Sequence, residues 1–579
     1  MTMLHSLLQV CLRGARRSAA ASLVALSLPI AAAPTLDTSF GVNGLVERSL
    51  AGSFGQADSI IALADSTLLT SGFFWHYYRG SGGIRVYDAF VSAHYSANGK
   101  QVLAPPPFFP YLVQRDGKMI TVNSTGLTRV NQDGSPDPGY ITDGAAGIPW
   151  YAGLSQGGLA GMALQADGKV VVAGNSSYTV VLLRFNTNGS LDPTFNYIGA
   201  LIVPHGDSDI DAATIGPVIQ PDGKIAVAAN SYLGLAQRLT LLRFNADGSA
   251  DAAFGNNGRS TIPNGTNSYV LAGQLALQPN GRLIVLGADA VAVMKMAGFR
   301  PQDGASDPIF GNSGVVNTPI GDATSSAQVD QAVVTPDGRL LVAFSSSDQT
   351  SYKLMRFTVD GAPDSTFGDA GSFTSAPLQS VTAIALLPNG DLALGGGTAG
   401  GNLAVGLFTS GPSPAIEYYN PSLNHYFMTV NPQEVAELDL GVFAGWQRTG
   451  LSFLTYGSAP AAAGTSAGPV CRFYIPPQHG NSHFFSADPV ECAIARDKIT
   501  TDPNFSGYVE ETPSAFFITL PDKVTGACPA NTTPVYRLWN QGSASNHRYT
   551  TSVVVKNQMI ASGWLAEGYG PDAVDMCAP

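Results

Sequence analysis

The sequence predicts an all-β seven-bladed propeller followed by a small C-terminal α+β domain with a pseudo-threefold repeat. Three observations support this prediction: a strand–turn–strand pattern that recurs along most of the chain, a composition rich in glycine, and cysteines concentrated near the C-terminus. Of the 579 residues, 65 are glycine and only 12% are charged. This composition favours turn-rich β structure over a helical bundle or coiled coil, which needs many Glu, Lys and Arg residues. The length exceeds what one core can hold, so we expect more than one domain.

The first repeated pattern is a short apolar strand, a pair such as Asp-Gly, and a second apolar strand. Asp-Gly and Asn-Gly pairs between apolar strands indicate tight hairpins, because these residues tolerate positive φ angles. The pairs recur roughly 50 to 60 residues apart, a period that suits a four-stranded propeller blade. They begin at Asp65, Asp116, Asp167, Asp222, Asn280, Asp337 and Asn389.

A second pattern alternates with the first and consists of a strand, a tight turn, an Asp and then an aromatic residue that we expect to be buried. It is clearest at residues 183–195 and 242–255, and weaker forms end at Phe310 and Phe367. Together the two patterns supply about four short strands per repeat, as a propeller blade requires.

The two ends of the repeat region are complementary. Residues 36–41 form the end of the second pattern with no strand pair before it, whereas the hairpin at Asn389 has no such ending after it. We therefore expect residues 36–46 to pack beside the strand near Leu403 and close the ring. Closure leaves no unpaired blade edge, which favours a propeller over the alternative, an open β-solenoid.

These motifs resemble the delta-60 repeat family of bacterial β-propellers, through the patterns D-G-K-φ-φ-φ-G and L-D-x-x-F-G. The resemblance spans about residues 36–410. The first two units depart from it, since Asp65 is followed by Ser66 rather than Gly, and residues 136–140 are a degenerate copy of the second pattern. The resemblance implies a secreted scaffold or binding domain and implies no reaction.

Residues 1–33 are predicted to be a secretory signal peptide. Arg13, Arg16 and Arg17 precede an apolar run that ends in small residues, which is the layout of a cleavable signal. The alternative is a membrane anchor, but the run is shorter than the ~20 apolar residues that a span needs. We expect a secreted, periplasmic or cell-surface protein whose parts are the propeller (34–410), a linker (411–414) and a disulfide-bonded repeat domain (415–579).

Cysteine usage agrees with export. Cys11 leaves with the signal peptide, and the other four, Cys471, Cys492, Cys528 and Cys577, all lie in the repeat domain. An even number of cysteines in one exported domain indicates two disulfides, and no pair has the close spacing typical of zinc ligands. Three connectivities are open. We predict local pairing, Cys471 with Cys492 and Cys528 with Cys577, because it keeps each bridge around one repeat.

The C-terminal region contains three copies of a unit that runs strand, turn, strand starting at His, helix, and Gly-aromatic return. The unit resembles a bacterial secreted-repeat family of unknown function with the pattern Y-R-x-Y-N, N-H-F-Y-T, G-W-x-x-E-G, over about residues 415–579. Copy two replaces the final Thr, and copy one lacks the Glu after Gly-Trp. The motifs lie at 416–420, 424–429 and 445–446 in copy one, at 471–474, 482–486 and 507–510 in copy two, and at 535–540, 546–551 and 563–568 in copy three.

The histidine and aromatic side chains of these copies are the candidate ligand-binding residues. Imidazole and aromatic rings together suit a sugar or an aromatic group, which would give one weak site per copy and avidity on a polymer. The alternative is that each histidine is structural and the rings fill a small core. The candidates are His425, Tyr426, Trp446, His483, Phe484, Tyr508, His547, Tyr549 and Trp564.

No motif predicts a catalytic residue, a metal site or a cofactor. Residues 464–468 match G-x-S-x-G and residues 395–400 match G-x-G-x-x-G, but neither lies in the strand–helix context that those motifs require. The turn at residues 245–251 lacks calcium-loop spacing.

The net charge of −12 disfavours a nucleic-acid partner. We predict a secreted, monomeric, non-catalytic binding or adhesion protein, with an extracellular polysaccharide or protein as partner and no membrane span. The alternatives are an extracellular glycan-active enzyme that uses propeller-face loops, and a purely structural surface protein.

Overall fold

The structure is a computed structural model. It describes residues 34–63, 66–77, 85–103, 110–114, 116–123, 126–131, 133–140, 159–176, 179–204, 214–233, 236–263, 271–288, 293–320, 327–346, 351–374, 377–459 and 467–579. The predicted signal peptide, Cys11, Asp65 and residues 464–466 of the G-x-S-x-G segment lie outside the described residues. In the part of the chain that the structure describes, no helix is long and apolar enough to cross a membrane.

The strands of residues 34–409 form seven antiparallel blade sheets, which confirms the predicted seven-bladed propeller. Blade one contains β3 (Phe54–Ala62), β4 (Leu68–Tyr77), β5 (Arg85–Tyr95) and β6 (Gln101–Leu103); blade two, β7 (Pro110–Val113), β8 (Met119–Asn123) and β9 (Gly126–Val130); blade three, β10 (Leu159–Leu164), β11 (Val170–Ser176), β12 (Thr179–Phe185) and β13 (Ala200–Pro204). Blade four contains β14 (Thr214–Ile219), β15 (Ile225–Leu233), β16 (Ala236–Phe244) and β17 (Arg259–Pro263); blade five, β18 (Leu271–Leu277), β19 (Leu283–Ala288), β20 (Val293–Phe299) and β21 (Val315–Pro319); blade six, β22 (Ala327–Val334), β23 (Leu340–Ser346), β24 (Tyr352–Phe357) and β25 (Ser372–Phe373). Blade seven contains β26 (Ser380–Leu386), β27 (Leu392–Gly397) and β28 (Leu403–Thr409), joined by the N-terminal strands β1 (Thr35–Leu36) and β2 (Leu45–Arg48).

The N-terminal segment closes the ring as the sequence predicts. Leu36 of β1 pairs with Phe408, and β2 runs antiparallel to β28 from Leu45 opposite Gly406. The backbone N–H of Gly41 also donates to the carbonyl of Asn98 in blade one (2.9 Å). The last blade is therefore completed by the first described residues of the chain, and no edge of β28 is left open.

A buried arginine explains the second sequence pattern. Arg243 on β16 pairs with Asp251 (Nη2–Oδ2, 2.8 Å), and its guanidinium lies 4.1 Å from the ring centroid of Phe254. The same guanidinium donates a hydrogen bond to the carbonyl of Pro301 in blade five. The Asp and the aromatic residue of the pattern thus bind the arginine of the preceding strand, and the arginine links two blades. The arrangement of arginine, Asp and ring recurs at Arg129, Asp137 and Tyr140, at Arg184, Asp192 and Phe195, and at Arg356, Asp364 and Phe367.

The C-terminal domain is a ten-stranded sheet with three helices among its described residues. Each copy contributes two paired strands, a helix and a return strand, and each helix begins after a side-chain cap: Asn431, Asp488 or Ser552. Copy one contains β29 (Pro412–Asn420), β30 (His425–Thr429), α1 (Pro432–Asp439) and β31 (Gln447–Tyr456); copy two, β32 (Ala467–Ile475), β33 (Ser482–Ser486), α2 (Pro489–Thr501) and β34 (Val509–Thr519); copy three, β35 (Thr533–Trp539), β36 (His547–Thr550), α3 (Val553–Ala561), β37 (Leu565–Glu567) and β38 (Val574–Ala578).

The connection between the two domains is shorter than the predicted linker 411–414. Pro412, Ser413 and Pro414 belong to β29, because they pair with residues 454–456 of β31. Only Ser410 and Gly411 separate β28 from β29. The predicted disulfide connectivity is confirmed, with bridges Cys471–Cys492 and Cys528–Cys577.

Helix α1 lies against one end of the propeller. The side-chain amide of Gln433 donates to the carbonyl of Ala62 at the end of β3 (2.9 Å). Val435 and Pro432 face Leu277, at the end of β18, across a gap of about 190 Å³. The first strands of neighbouring blades contact one another and therefore lie innermost. Helix α1 consequently lies over the ends of innermost strands.

Candidate functional site

The three motif histidines are not equivalent, contrary to the sequence interpretation. Strand register places His483 opposite Tyr474 and His547 opposite Trp539, but in copy one it places Tyr426, not His425, opposite Tyr419. The motif of copy one is thus shifted by one residue, and such a shift moves a side chain to the other face of a sheet.

His425 accordingly has a structural environment. Its side chain is buried, with 3% of the residue exposed. Burial lowers the pKa of His425, and a hydrogen bond to the backbone of Asn481 in copy two opposes that shift. We assign His425 to the contact between copies one and two rather than to a ligand site.

The true equivalents form a ring of contacts between successive copies. Phe427 of copy one lies 4.6 Å from His483 of copy two, between ring centroids. Phe484 of copy two lies 5.2 Å from His547 of copy three. At the third boundary the guanidinium of Arg548 lies 4.0 Å from the ring centroid of Tyr426. The predicted residues therefore join the copies together and do not form one isolated pocket in each copy.

Ion pairs reinforce the same three boundaries. Arg472 of copy two binds Glu434 on α1 (2.7 Å), and Arg537 of copy three binds Glu491 on α2 (2.9 Å). At the boundary of copies three and one the first strand carries the glutamate instead of the arginine, and Arg548 of copy three binds Glu417 of copy one (2.9 Å). Arg548 and Glu417 are both buried, and a buried pair is costly to break because the remaining charge loses its partner.

A cleft of about 490 Å³ opens at the boundary between copies two and three. One wall is helix α2, whose residues Glu491, Ile494, Ala495, Lys498 and Ile499 line the cleft. These positions follow the i, i+3, i+4, i+7, i+8 spacing of a single helix face. Helix α2 has 13 residues and α1 only eight, so copy two provides a longer wall than copy one.

Aromatic rings form much of the rest of the cleft. Phe473, Phe484 and Phe505 line it together with Tyr508 and Trp539. The last two are half-buried. The indole N–H of Trp539 donates to the hydroxyl of Ser545 (3.1 Å), which fixes the orientation of the ring, and Tyr508 packs 5.0 Å from Phe505. Half-buried rings held in place are suited to stacking against the apolar face of a ligand.

Two carboxylates in the cleft are bound by one buried arginine. Arg537 donates to both oxygens of Glu491 (2.9 and 3.0 Å) and to Oε2 of Glu567 (3.0 Å). Burial raises the pKa of Glu567, while Arg537 opposes the rise. Oε1 of Glu567 accepts no hydrogen bond from any residue that the structure describes, so this oxygen retains its capacity to bind a donor.

His547 lies beside these carboxylates at the edge of the cleft. Its Nε2 is 3.5 Å from Oε2 of Glu567. Burial, together with the Arg537 guanidinium, lowers the pKa of His547 to about 3. The imidazole is therefore neutral at neutral pH and adds no positive charge to the site.

The remaining candidates lie outside the cleft. Tyr549 is buried, and its hydroxyl donates to the carbonyl of Phe485 (2.8 Å). Trp446 packs edge-on against Phe427 (6.0 Å), and Trp564 packs edge-on against Tyr426 (6.0 Å). Of the nine predicted residues, the structure brings Phe484, Tyr508 and His547 together in the cleft. Tyr426, Trp446, His483 and Trp564 contribute half-buried contacts in and around the boundary ring, and His425 and Tyr549 belong to the core.

Sequence reasoning missed Trp539, Glu491, Glu567 and Arg537. The helical spacing of the α2 residues that line the cleft can be recognised in the sequence, and Trp539 belongs to the first strand motif of copy three. Glu567 is the Glu of the G-W-x-x-E-G motif of copy three, but it is 76 positions from Glu491, and the sequence does not show that one arginine binds both glutamates. Within the described residues, no group of three or more His, Cys, Asp or Glu side chains could hold a metal ion.

Comparison with known families supports the two-part architecture. The model described as "Domain of unknown function (DUF5122) beta-propeller" matches residues 165–195, 220–254 and 335–367, and the model described as "Domain of unknown function (DUF5648)" matches residues 403–510. These matches confirm the resemblance to a repeat propeller followed by a domain of unknown function. A search of curated proteins gave no match.

The solved structures that match this chain are only distantly similar to it. A catalytically inactive virginiamycin B lyase from Staphylococcus aureus with quinupristin is 10% identical, with a TM-score of 0.34, over 62% of this chain and 98% of that chain. Raptor from Chaetomium thermophilum is 12% identical, with a TM-score of 0.35, over 63% and 28%. The PQQ-bound aldose sugar dehydrogenase from Streptomyces coelicolor is 15% identical, with a TM-score of 0.30, over 51% and 92%. At these values the likeness supports no functional argument.

Proposed function

We propose that this protein is an extracellular, non-catalytic binding protein in which the propeller is the scaffold and the C-terminal domain holds a glycan. The observation that supports this most directly is the cleft between copies two and three. It combines half-buried aromatic rings with two carboxylates that Arg537 binds. Concave, mostly apolar sites with a few fixed polar groups are the usual form of a ligand site.

Location outside the cytoplasm is supported by the two disulfides. Both bridges lie in the C-terminal domain, and disulfides persist in oxidising compartments. The Cys471–Cys492 bridge ties β32 to helix α2, the wall of the cleft. A site held by a covalent bridge loses less conformational entropy when a ligand binds.

An extracellular glycan-active enzyme is the second candidate, because Glu491 and Glu567 both line the cleft. Glycoside hydrolysis requires one carboxylic acid that is free to protonate the leaving group and a second carboxylate free to act as base or nucleophile. Here Arg537 binds both carboxylates. This arrangement favours binding over bond cleavage.

The full-length mature chain, with its disulfides intact, should be applied to an array of extracellular polysaccharides and oligosaccharides. We expect retention on at least one glycan class without release of reducing ends over many hours. Release of shorter products would favour the enzyme, and failure to retain any glycan would contradict the proposed function.

A further inference from the structure

We propose that the cleft holds two adjacent rings of an uncharged glycan, with Tyr508 and Trp539 as stacking platforms and Oε1 of Glu567 as the acceptor for a ligand hydroxyl. The proposal rests on the proposed function and makes it specific, because it assigns one site per chain, a ligand class and the residues that recognise it.

The length of the site follows from helix α2. Glu491 and Lys498 lie seven residues apart on the same helix face, which corresponds to about 10 Å along the axis. The cleft runs along this face and is bounded by a carboxylate at one end and an ammonium at the other. This span accommodates two linked pyranose rings, whereas a single ring would leave one end of the cleft empty.

The free hydrogen-bonding group of the site is an acceptor, so the site suits a ligand that donates a hydrogen bond. Oε2 of Glu567 is already held by Arg537 (3.0 Å), and Oε1 has no donor among the described residues. Glu491 accepts from Arg537 at both oxygens and from the hydroxyl of Ser486 (2.6 Å). A sugar hydroxyl that reached Glu567 would complete the coordination of an otherwise fixed carboxylate and gain a charge-assisted hydrogen bond.

The charges at the Glu567 end of the cleft disfavour an acidic sugar. Arg537 is shared between the carboxylates of Glu491 and Glu567, Lys498 lies at the opposite end of the cleft, and His547 is neutral. A uronic acid placed near Glu567 would set two like charges together in a partly desolvated site. We therefore infer that neutral rings bind and that their acidic counterparts bind more weakly.

The other two boundaries between copies differ from the cleft in what lines them. At the boundary of copies one and two, a cavity of about 290 Å³ lies beside Glu434, Arg472 and Glu511, and the rings that line it, those of Phe485 and Phe516, are buried and offer no stacking face. At the boundary of copies three and one, Arg548 covers the ring of Tyr426 and binds Glu417. In copy one, Tyr418 occupies the position that Phe473 has in copy two, and its hydroxyl donates to Asp439 (2.9 Å). Helix α1 ends at Asp439, so it lacks the last turn that carries Lys498 and Ile499 in α2. A single site per chain follows, in place of the three weak sites that the sequence predicts.

Pseudo-symmetry supplies matched control variants. Tyr474 of copy two occupies the strand position of Trp539, as shown by their pairing with His483 and His547. Glu511 of copy two is the counterpart of Glu567, since it binds Arg472 (2.8 Å) and lies 3.3 Å from His483. Each control removes the same kind of group from a boundary that has no proposed site.

The test uses the full-length chain and four neutral disaccharides as probes: cellobiose, maltose, laminaribiose and N,N′-diacetylchitobiose. Binding is measured by saturation-transfer NMR and by calorimetric titration, with cellobiuronic acid as the acidic comparison. We expect at least one neutral probe to bind with a stoichiometry of one. Trp539→Ala should weaken it at least tenfold and Glu567→Gln at least threefold, whereas Tyr474→Ala and Glu511→Gln should change it less than twofold.

The outcomes separate this inference from the proposed function. Glycan binding that survives Trp539→Ala, or a stoichiometry of three, would overturn the inference and leave the proposed function standing. Acidic and neutral probes that bind equally well would overturn the assigned ligand class. Failure of every probe and of the polysaccharide array would overturn both. Tyr508→Ala provides a second cleft variant should Trp539→Ala fail to fold, as judged by its thermal unfolding.

Discussion

The arginine that links neighbouring blades offers a direct test of how the repeat holds the propeller together. Arg243 and Asp251 are both buried. Besides Asp251, the guanidinium contacts the ring of Phe254 and the carbonyl of Pro301 in the next blade. Arg243→Met keeps much of the apolar stem but removes every one of these polar contacts. The Asp251 carboxylate would then be buried without its charge partner.

The expected loss of stability is large for a single side chain. Removing one partner of a buried ion pair costs about 3–5 kcal/mol, because the remaining charge is desolvated and uncompensated. The unpaired carbonyl of Pro301 adds about 1 kcal/mol or more. We therefore expect Arg243→Met to lower the free energy of unfolding by about 5 kcal/mol. Replacing both partners, in Arg243→Met/Asp251→Leu, should recover about 2 kcal/mol or more, since no buried charge is left alone.

Urea unfolding of the full chain measures this loss. Circular dichroism follows the strands of both domains, while fluorescence reports mainly on the C-terminal domain, which contains Trp446, Trp539 and Trp564. The matched control is Arg300→Met, because Arg300 pairs with Asp303 at the exposed surface and such pairs contribute less than about 1 kcal/mol. A loss below 1 kcal/mol for Arg243→Met, or a double variant less stable than the single one, would refute this account of the repeat.

Three further predictions concern stability. Deletion of residues 34–46 removes β1 and half of the pairing of β2 with β28, so we expect propeller unfolding to become broad and non-cooperative in urea titrations, whereas a sharp transition would contradict ring closure. Burial raises the pKa of Asp391 from 3.8 to about 6, so the folded chain keeps a proton that the unfolded chain loses. Stability should fall by roughly 2 kcal/mol between pH 4 and pH 6, and Asp391→Asn, but not the exposed Asp369→Asn, should reduce that slope in pH-dependent unfolding. Replacing both cysteines of the Cys528–Cys577 bridge, which closes the longer loop (49 against 21 residues), should cost about 4 kcal/mol, against about 3 for Cys471–Cys492; the reverse order in thermal unfolding would argue against the chain-entropy account.

Much of the fold was predictable because its signals are local. The Asp-Gly hairpins depend on a residue that adopts positive φ, as Gly223 and Gly338 do. The second pattern could be recognised as a strand, turn and buried ring, since Phe254 and Phe367 are fully buried. Ring closure was predictable for the same reason, because the two chain ends carry complementary parts of one unit.

The candidate site was only partly predictable, because its parts come from different copies and depend on strand register. A one-residue shift in copy one separates His425 from the positions of His483 and His547, and the motif alone does not show it. The importance of Glu567 depends on which of its oxygens Arg537 leaves free.

The amino-acid sequence by itself determined the blades, their number, the closure of the ring and the disulfide pairing. Each of these follows from turn chemistry, from periodicity or from distance along the chain. Only the tertiary structure decided that the boundary of copies two and three opens as a cleft lined by half-buried rings. Glu491 on α2 and Glu567 on β37 meet there because Arg537, on β35, binds both. Which charges are brought together, and which remain free for a ligand, is a property of packed surfaces and not of spacing in the chain.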